Sequence, residues 1–257
     1  MTALGETSSA PDVIVSRDLQ STAATIANRL VDRLIGCEAP THISVTGGGL
    51  GGAIWPAVAA HPDARKVRWS CVHIWFSDER FVPDGDQERN DAAVVAVAAS
   101  LGLPKANVHR VPGPDAVPDV GESAAAYARE LAGWARPAGT SSDGVAAPVF
   151  DVSILGIGPD GHVASLFPGR PEIGLGEGAV VAIADSPKPP PIRVSFTRPA
   201  IEHCRELWMI AAGADKAAAV GCAMRGDDPG RTPAVGLRGR NHTCWFIDEA
   251  LAAGLTA

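Results

Sequence analysis

The sequence has few cysteines and no pattern that would pair them. Its five cysteines are widely scattered, and none belongs to a Cys-x-x-Cys pair. Neither a disulfide framework nor a zinc knuckle is therefore indicated. Reduced, partly buried thiols are typical of a cytoplasmic protein, and that is the location we expect.

Long basic runs and long apolar runs are also absent. With a formal net charge of -7, the chain lacks the electrostatic footprint of a nucleic-acid-binding protein. No stretch is apolar for long enough to span a bilayer. Residues 1–7 lack the basic-then-apolar layout of a signal peptide. We expect no nucleic-acid or membrane partner, and no obligate protein partner is evident.

What the sequence does contain is the composition of a folded protein. Of its 257 residues, 46% are hydrophobic and 20% are charged, which is typical of a globular chain. Strand and helix periodicities alternate, which favours an α/β fold: a largely parallel, Rossmann-like sheet with helices on both faces. No internal repeat or clean domain break is visible, so we expect a single domain over 1–257. The segment Pro137–Pro148 is predicted to be a flexible surface loop.

Hydrophobic periodicity and turn residues locate the individual elements. The predicted strands are His42–Thr46, Val72–Phe76, Val108–Val111, Val149–Leu155, Val180–Ala184, Ile192–Phe196, Leu207–Ala212 and Thr243–Ile247. The predicted helices are Ile26–Ile35, Ala53–Ala60, Asn90–Leu101, Val117–Ala135 and Ala214–Met224. Pro56 is expected in the first turn of its helix, and Asp119 is a plausible N-cap.

The most informative motif follows the strand that ends at Leu155. It places Asp160 and His162 in a glycine-rich turn, within Gly-Pro-Asp-Gly-His-Val-Ala-Ser-Leu-Phe-Pro-Gly. In an open α/β sheet, loops at the carboxyl ends of strands collect ligands and catalytic groups. Histidine exchanges protons near neutral pH. The alternative is a polar turn with a solvated histidine.

A glycine run, 47–52, follows an earlier strand and matches Gly-x-Gly-x-x-Gly. It is compatible with a dinucleotide site, in which Asp78 would be the acidic residue, although the spacing to Asp78 is long. A simple phosphate-binding loop and a tight structural turn remain open. The first two share one physical basis, because unobstructed backbone N–H groups bind anions.

Asp78-Glu79-Arg80, Arg193 and Lys216 each have a structural and a functional interpretation. Asp78-Glu79-Arg80 ends an apolar strand, where it forms either a surface ion cluster or a site whose Arg80 faces an anionic substrate. Arg193 and Lys216 are either solvated cations or phosphate ligands at the same sheet edge. The remaining histidines show no metal-ligand spacing, so a metal site is not expected.

Taken together, these segments resemble the 6-phosphogluconolactonase family over about residues 12–250. The family's Gly-Gly loop corresponds to 46–48, and its Asp-Glu-Arg-x-Val-Pro run followed by Asn corresponds to 78–83 and Asn90. Its Gly-x-Asp-Gly-His-x-Ala-Ser-Leu-Phe-Pro-Gly motif corresponds to 158–169. The Arg-Ile-Thr and Gly-x-x-Lys-Ala segments correspond to 193–195 and 213–217.

Two features bear on how far this resemblance extends. The family usually continues Gly-Gly with a hydroxyl residue, whereas this chain has Gly49 and Leu50, so Thr46 or backbone amides must hold more of the phosphate. The related glucosamine-6-phosphate deaminases have Asp-Gly-His-Ile-Ala-Phe-Asn-Glu-Pro, with a glutamate that partners the histidine. That glutamate aligns with Phe167, and the deaminase Asp-Glu-Tyr becomes Asp-Glu-Arg. Both differences favour lactone hydrolysis over deamination.

The resemblance implies hydrolysis of 6-phospho-D-glucono-1,5-lactone to 6-phospho-D-gluconate, the second step of the oxidative pentose phosphate pathway. His162 would activate water without a covalent intermediate, Arg80 would stabilise the oxyanion, and Asp160 would orient His162. Substrate and phosphate binding would fall to Thr46, Gly47, Gly48, Gly49, Asp78, Arg193 and Lys216. No cofactor is expected, and the partner is a small phosphosugar lactone. The alternatives are a deaminase-like enzyme and a non-catalytic sugar-phosphate sensor.

Overall fold

The strands form two sheets of different size. The computed structural model describes residues 11–135, 144–226 and 228–255. Their strands are β1 (Asp12–Ser16), β2 (Thr41–Val45), β3 (Val72–Phe76), β4 (Asp78–Arg80), β5 (Val108–His109), β6 (Phe150–Gly156), β7 (Val180–Ile183), β8 (Arg193–Phe196), β9 (Cys204–Ala211) and β10 (His242–Asp248). The larger sheet is parallel, in the order β1-β10-β9-β6-β2-β3-β5. The smaller is antiparallel, in the order β4-β8-β7.

Helices connect and cover these strands. They are α1 (Leu19–Leu34), α2 (Gly48–Ala60), α3 (Ala92–Leu101), α4 (Val120–Gly133), α5 (Arg198–Glu202), α6 (Ala217–Arg225) and α7 (Glu249–Leu255). Helices α1, α2 and α3 pack in succession, α4 packs on β7 and β8, and α6 packs on α7. The predicted Asp119 cap of α4 is confirmed, since its carboxylate accepts the Glu122 amide at 2.9 Å. The predicted α/β class, a largely parallel sheet with helices on both faces, is confirmed.

The order of the strands places a crevice at the centre of the large sheet. From β2 the chain proceeds outward through β3 to β5, then returns to β6 on the other side of β2 and proceeds through β9 to β10. The loops after β2 and β6 therefore leave in opposite directions. In open α/β sheets, such a switch point at the carboxyl ends of the strands is where ligands bind.

The glycine run after β2 differs from the prediction. Instead of a loop followed by a helix over Ala53–Ala60, α2 begins at Gly48, so Pro56 lies in the helix interior and not in the first turn. The early start of α2 brings Gly51 so close to Thr46 that only glycine fits at position 51. A Cβ at Gly51 would lie 2.5 Å from the carbonyl oxygen of Thr46. Absence of the side chain lets the first turn pack directly onto the end of β2.

The second sheet was also not predicted. Asp78–Arg80 is predicted as the charged end of the strand over Val72–Phe76, but it is a separate short strand, β4. At Ser77 the chain changes sheets: its N–H donates to Val45 O in the large sheet at 2.8 Å, and its carbonyl accepts from Phe196 N in the small sheet at 2.7 Å. The two sheets consequently meet beside the carboxyl end of β3.

One hydrophobic core joins both sheets, with Ile74 of β3 and Val194 of β8 in the same cluster. The predicted surface loop Pro137–Pro148 falls partly outside the described residues, which omit 136–143. Its described end is packed, since Val145 is 5% and Ala147 is 2% exposed, so that part of the prediction was wrong. No described helix has the length and apolarity needed to cross a membrane.

Three buried histidines form a cluster between β2, β3, β5 and α4. The His42 and His73 rings lie 5.0 Å apart. His73 Nδ1 and His109 Nε2 share a 3.0 Å hydrogen bond, and His109 Nδ1 contacts Glu130 Oε1 at 2.6 Å. Trp134 covers all three rings. Burial, together with the neighbouring histidines, lowers the pKa of His42 and of His73 from 6.5 to about 4.

This cluster predicts a loss of stability on mild acidification. Because the folded-state pKa of His42 and of His73 lies below the ordinary value, the unfolded chain binds protons first as pH falls, and stability declines between about pH 6.5 and 4. We expect the free energy of unfolding in urea to fall by on the order of 2 kcal/mol per histidine between pH 7 and 5. His73→Gln should reduce that fall, whereas His61→Gln, outside the cluster, should not. Equal changes in unfolding free energy from pH 7 to 5 in wild type and His73→Gln would contradict the prediction.

Candidate functional site

A cavity of about 220 Å³ opens at the switch point. It is bounded by the loops that follow β2, β6 and β9, together with β4 and β8. Its lining residues are Leu19, Thr46, Gly47, Gly48, Gly49, Leu50, Gly51, Asp78, Arg80, Asn90, Gly156, Ile157, Gly158, His162, Ala164, Arg193, Ile210, Ala211, Ala212 and Lys216. Every site residue predicted from the sequence lines this cavity except Asp160, which lies behind His162.

The amino end of α2 supplies backbone donors to the cavity. The cap residue Gly47 makes no side-chain capping bond, and Gly48 and Gly49 begin the helix. The first amides of a helix lack intrahelical acceptors and carry the positive end of its dipole. The absence of Cβ atoms leaves these amides open to an anion. Asn90 explains the glycine at 47, because a Cβ there would lie 1.8 Å from Asn90 Oδ1.

His162 projects from the loop after β6 and is oriented by Asp160. Its Nδ1 lies 2.5 Å from Asp160 Oδ1, and its ring stacks on Phe167 with centroids 4.6 Å apart. Burial alone raises the pKa of Asp160. The hydrogen bond from His162 and the charge of Lys188 have a larger, opposite effect, so the pKa of Asp160 lies well below its usual range. The carboxylate therefore holds Nδ1–H. Within the described part of the chain, Nε2 of His162 has no hydrogen-bond partner.

Gly158 provides the space that His162 occupies, which gives a testable prediction. A Cβ at Gly158 would lie 2.1 Å from His162 Nδ1 and Cε1, so Gly158→Ala must displace the ring. Displacement of a catalytic group by about 1 Å can lower a rate by about 10²-fold, and we expect a loss of that order in kcat/KM. Gly52→Ala is the control, because a Cβ there meets nothing within 4 Å. Wild-type kcat/KM in a folded Gly158→Ala variant would contradict this role.

Two side chains hold Asp78 in the wall of the cavity. Ser165 Oγ donates to Asp78 Oδ2 at 2.8 Å, and Asn90 Nδ2 donates to Asp78 Oδ1 at 3.1 Å. Both carboxylate oxygens are thus engaged within the protein, which leaves Asp78 poorly placed for the ribose contact of a dinucleotide site. Asn90 Oδ1 is buried and, among the described residues, has no hydrogen-bond partner.

Glu79 fixes the segment that carries Arg80. Its buried carboxylate accepts the backbone N–H groups of Arg80 at 2.8 Å, Asn90 at 2.7 Å and Asp91 at 3.1 Å. Burial raises the pKa of Glu79 to about 7, against the lowering effect of Arg89 and these amides. Arg80 Nη1 donates to Glu88 O at 2.5 Å. Its Nε is buried and lacks a partner in the described chain, but the residue is only half-buried and lines the cavity, so the guanidinium brings positive charge to the site.

Arg193 is largely committed to the loop before β8. Its Nε donates to Pro190 O at 2.9 Å, and its Nη2 donates to Lys188 O at 3.0 Å and Pro189 O at 3.1 Å. Nη1 makes only a 3.4 Å contact with Ser165 Oγ. Its predicted role as a phosphate ligand therefore depends on Nη1 alone, and it stays a prediction.

Lys216 stands at the amino end of α6 and lines the cavity. Its Nζ donates to Ala212 O at 2.8 Å and lies 3.5 Å from Asp215 Oδ1. The side chain is held at the loop after β9, with one ammonium proton still available for an anion. In the described residues no group of His, Cys, Asp or Glu side chains is arranged to hold a metal ion.

Two residues of the site were missed. Asn90 was noted as part of a motif but not proposed for the cavity wall. Lys188 lies in a proline-rich turn, where no periodicity indicates that its side chain reaches Asp160 and His162 at 3.1 and 3.3 Å. The only signal was a single cation in an otherwise uncharged turn.

Comparison with known proteins agrees with this architecture. Residues 16–245 match the family described as glucosamine-6-phosphate isomerases/6-phosphogluconolactonase. A 6-phosphogluconolactonase of Streptomyces coelicolor is 42% identical over 254 residues, 96% of each sequence. The human 6-phosphogluconolactonase is 34% identical over 242 residues, 91% of this chain and 88% of the relative.

A solved structure of 6-phosphogluconolactonase from Trypanosoma brucei superposes with a TM-score of 0.82 at 22% identity, over 95% of this chain and 98% of that one. At that identity the likeness supports the fold alone. The family match and the two sequence relatives go further, and the resemblance found in the motifs is confirmed. The chain belongs to the glucosamine-6-phosphate isomerase/6-phosphogluconolactonase family.

Proposed function

We propose that this protein is a carboxylic ester hydrolase that converts 6-phospho-D-glucono-1,5-lactone to 6-phospho-D-gluconate. The observation that carries the proposal is the pairing of Asp160 with His162 Nδ1 at 2.5 Å, with His162 in the wall of a cavity that Arg80 also lines. A proton acceptor and a cation at one cavity are what lactone hydrolysis requires. The 6-phosphogluconolactonases among its relatives support the same substrate class.

Hydrolysis begins with His162 as a general base. Asp160 accepts Nδ1–H, so the lone pair for proton transfer is on Nε2. Nε2 removes a proton from water, and the resulting oxygen nucleophile bonds to C1 of the lactone. The carbonyl π electrons move onto its oxygen, which becomes the oxyanion of a tetrahedral intermediate. Asp160 stabilises the imidazolium formed in this step.

Arg80 stabilises the negative charge that develops on the former carbonyl oxygen. The half-buried guanidinium lines the cavity and supplies the positive charge for that purpose. As the carbonyl re-forms, the bond between C1 and the ring oxygen breaks, and His162 returns its proton to the departing oxygen. The acid product then ionises to 6-phosphogluconate, and His162 is again neutral.

The remote phosphate binds where the amino end of α2 and Lys216 line the cavity. The first amides of α2 and the ammonium of Lys216 line it and provide positive charge without an opposing carboxylate on α2. Thr46 contributes a hydroxyl. It replaces the hydroxyl that the family usually has after its Gly-Gly pair, where this chain has Gly49 and Leu50. Binding energy at this remote dianion positions C1 for attack.

Direct attack by water is favoured over a covalent intermediate. The described residues that line the cavity include no serine and no cysteine. Asp78 accepts hydrogen bonds from Ser165 and Asn90, which reduce its nucleophilicity. A lactone is already an activated ester, so a base and an oxyanion cation suffice.

The decisive experiment is a lactonase assay. Glucose-6-phosphate dehydrogenase generates the lactone in situ, and 6-phosphogluconate formation is followed with the spontaneous rate subtracted. We expect hydrolysis well above that rate. Ammonia release from glucosamine 6-phosphate without lactone hydrolysis would instead identify a deaminase. Binding of 6-phosphogluconate without turnover of either compound would identify a sensor.

A further inference from the structure

Lys188 brings a third charged group to the Asp160–His162 pair. Its Nζ lies 3.1 Å from Asp160 Oδ1 and 3.3 Å from His162 Nδ1. Because Asp160 accepts Nδ1–H at 2.5 Å, the imidazole nitrogen has no lone pair for the ammonium. Lys188 therefore donates to the carboxylate, and the same Oδ1 serves both residues.

The position of Lys188 is set by its backbone and does not depend on that ion pair. Arg193 Nη2 donates to Lys188 O at 3.0 Å, and Ser186 Oγ donates to the same oxygen at 3.1 Å. Lys188 N in turn donates to Ser186 Oγ at 3.3 Å. Arg193 is buried, and its guanidinium also binds the next two carbonyls of the turn. The turn thus fixes the backbone from which the Lys188 side chain reaches Asp160 and His162.

The two neighbours of His162 have opposite electrostatic effects. The carboxylate of Asp160 favours the imidazolium, whereas an ammonium at 3.3 Å opposes it. Without Lys188, the anion alone would bias His162 towards the protonated form, which cannot act as a base. With Lys188, the carboxylate still orients the ring while its charge is largely offset.

We propose that Lys188 is a positioning residue that offsets the charge of Asp160, so that the carboxylate orients His162 as a base without favouring its imidazolium. This inference rests on the proposed function, because it assigns Lys188 to the base of that reaction. The other charged groups that line the same cavity are Asp78 and Arg80 on β4, Arg193 on β8 and Lys216 before α6. They are unchanged in the variants below, so a difference between variants reports on Lys188.

The test combines an NMR titration of the His162 ring with pH profiles of kcat/KM. In Lys188→Met, we expect the His162 titration midpoint to rise by about one pH unit, the size expected for a partly exposed charge at this distance. The acidic limb of kcat/KM should move by the same amount, with the plateau above it preserved. Lys188→Arg should restore the wild-type profile. Lys105→Met, which removes an exposed lysine elsewhere, is the matched control.

The two readouts separate failure of this inference from failure of the proposed function. An unchanged His162 midpoint in folded Lys188→Met would overturn the inference, whatever the activity. A uniform fall in kcat/KM at every pH, with no movement of the limb, would also overturn it by showing a purely structural role. A shifted midpoint in a protein that does not hydrolyse the lactone would overturn the proposed function and leave the electrostatic coupling intact.

Discussion

His162→Gln is expected to lower kcat/KM for lactone hydrolysis by about 10²–10⁴-fold, the usual contribution of a positioned general base. Glutamine preserves a polar side chain of similar reach, but it cannot accept the proton of the attacking water. The loss should appear mainly in kcat, because the phosphate is proposed to bind at α2 and Lys216. Initial rates with lactone generated in situ measure both parameters.

The control for this variant is His61→Gln, whose side chain accepts the Asp63 amide at 3.1 Å and does not line the cavity. Thermal unfolding should show both variants folded. If His162→Gln retained wild-type kcat while folded, the general base would have to be another group, and the role assigned to Asp160 would fall with it.

Arg80→Met is expected to lower kcat by about 10²–10³-fold, the effect of removing one preorganised oxyanion donor. Methionine retains most of the aliphatic length of arginine, so the packing beside Glu88 is disturbed little while the charge and the guanidinium donors disappear. Arg80→Lys should recover only part of the activity, since it restores the charge without the planar donor set.

An arginine outside the site provides the comparison for this second variant. Arg129 on α4 is exposed, and Arg129→Met should leave kcat and KM unchanged. A rise in KM for Arg80→Met at constant kcat would contradict the oxyanion role and assign Arg80 to uniform substrate binding instead.

The large sheet was predictable because its strands are short apolar runs that end in polar or glycine-rich turns. β3 was predicted with its observed bounds, Val72–Phe76, and β6 begins and ends within one residue of the predicted Val149–Leu155. Where burial on both faces dictates a continuous apolar run, sequence and structure agree.

The missed strands differ from these in burial or in composition. β1 lies at a sheet edge, where Val13 and Val15 are 48% and 49% exposed, so its composition is not constrained by burial. β4 consists of three charged residues, and it is a strand only because its backbone pairs with β8. Pairing partners distant in sequence, rather than local propensity, decide such segments.

The residues of the site likewise divide into those that the sequence predicts and those that it does not. Residues in glycine-rich turns after apolar strands, such as His162, could be predicted because the sheet topology brings those turns together. Lys188 could not, because its side chain reaches Asp160 only through a turn that Arg193 holds from the next strand. Contacts made by a tertiary arrangement leave no periodicity in the sequence.

The glycines that open α2 also make its first turns the least self-sufficient part of the helix. Glycine costs roughly 1 kcal/mol per residue relative to alanine in a helix, and Gly48, Gly49, Gly51 and Gly52 fall within its first five positions. Local opening therefore requires the least free energy where the phosphate is proposed to bind. We therefore expect a bound dianion to slow hydrogen exchange at these amides, because a ligand that binds only the closed helix stabilises it.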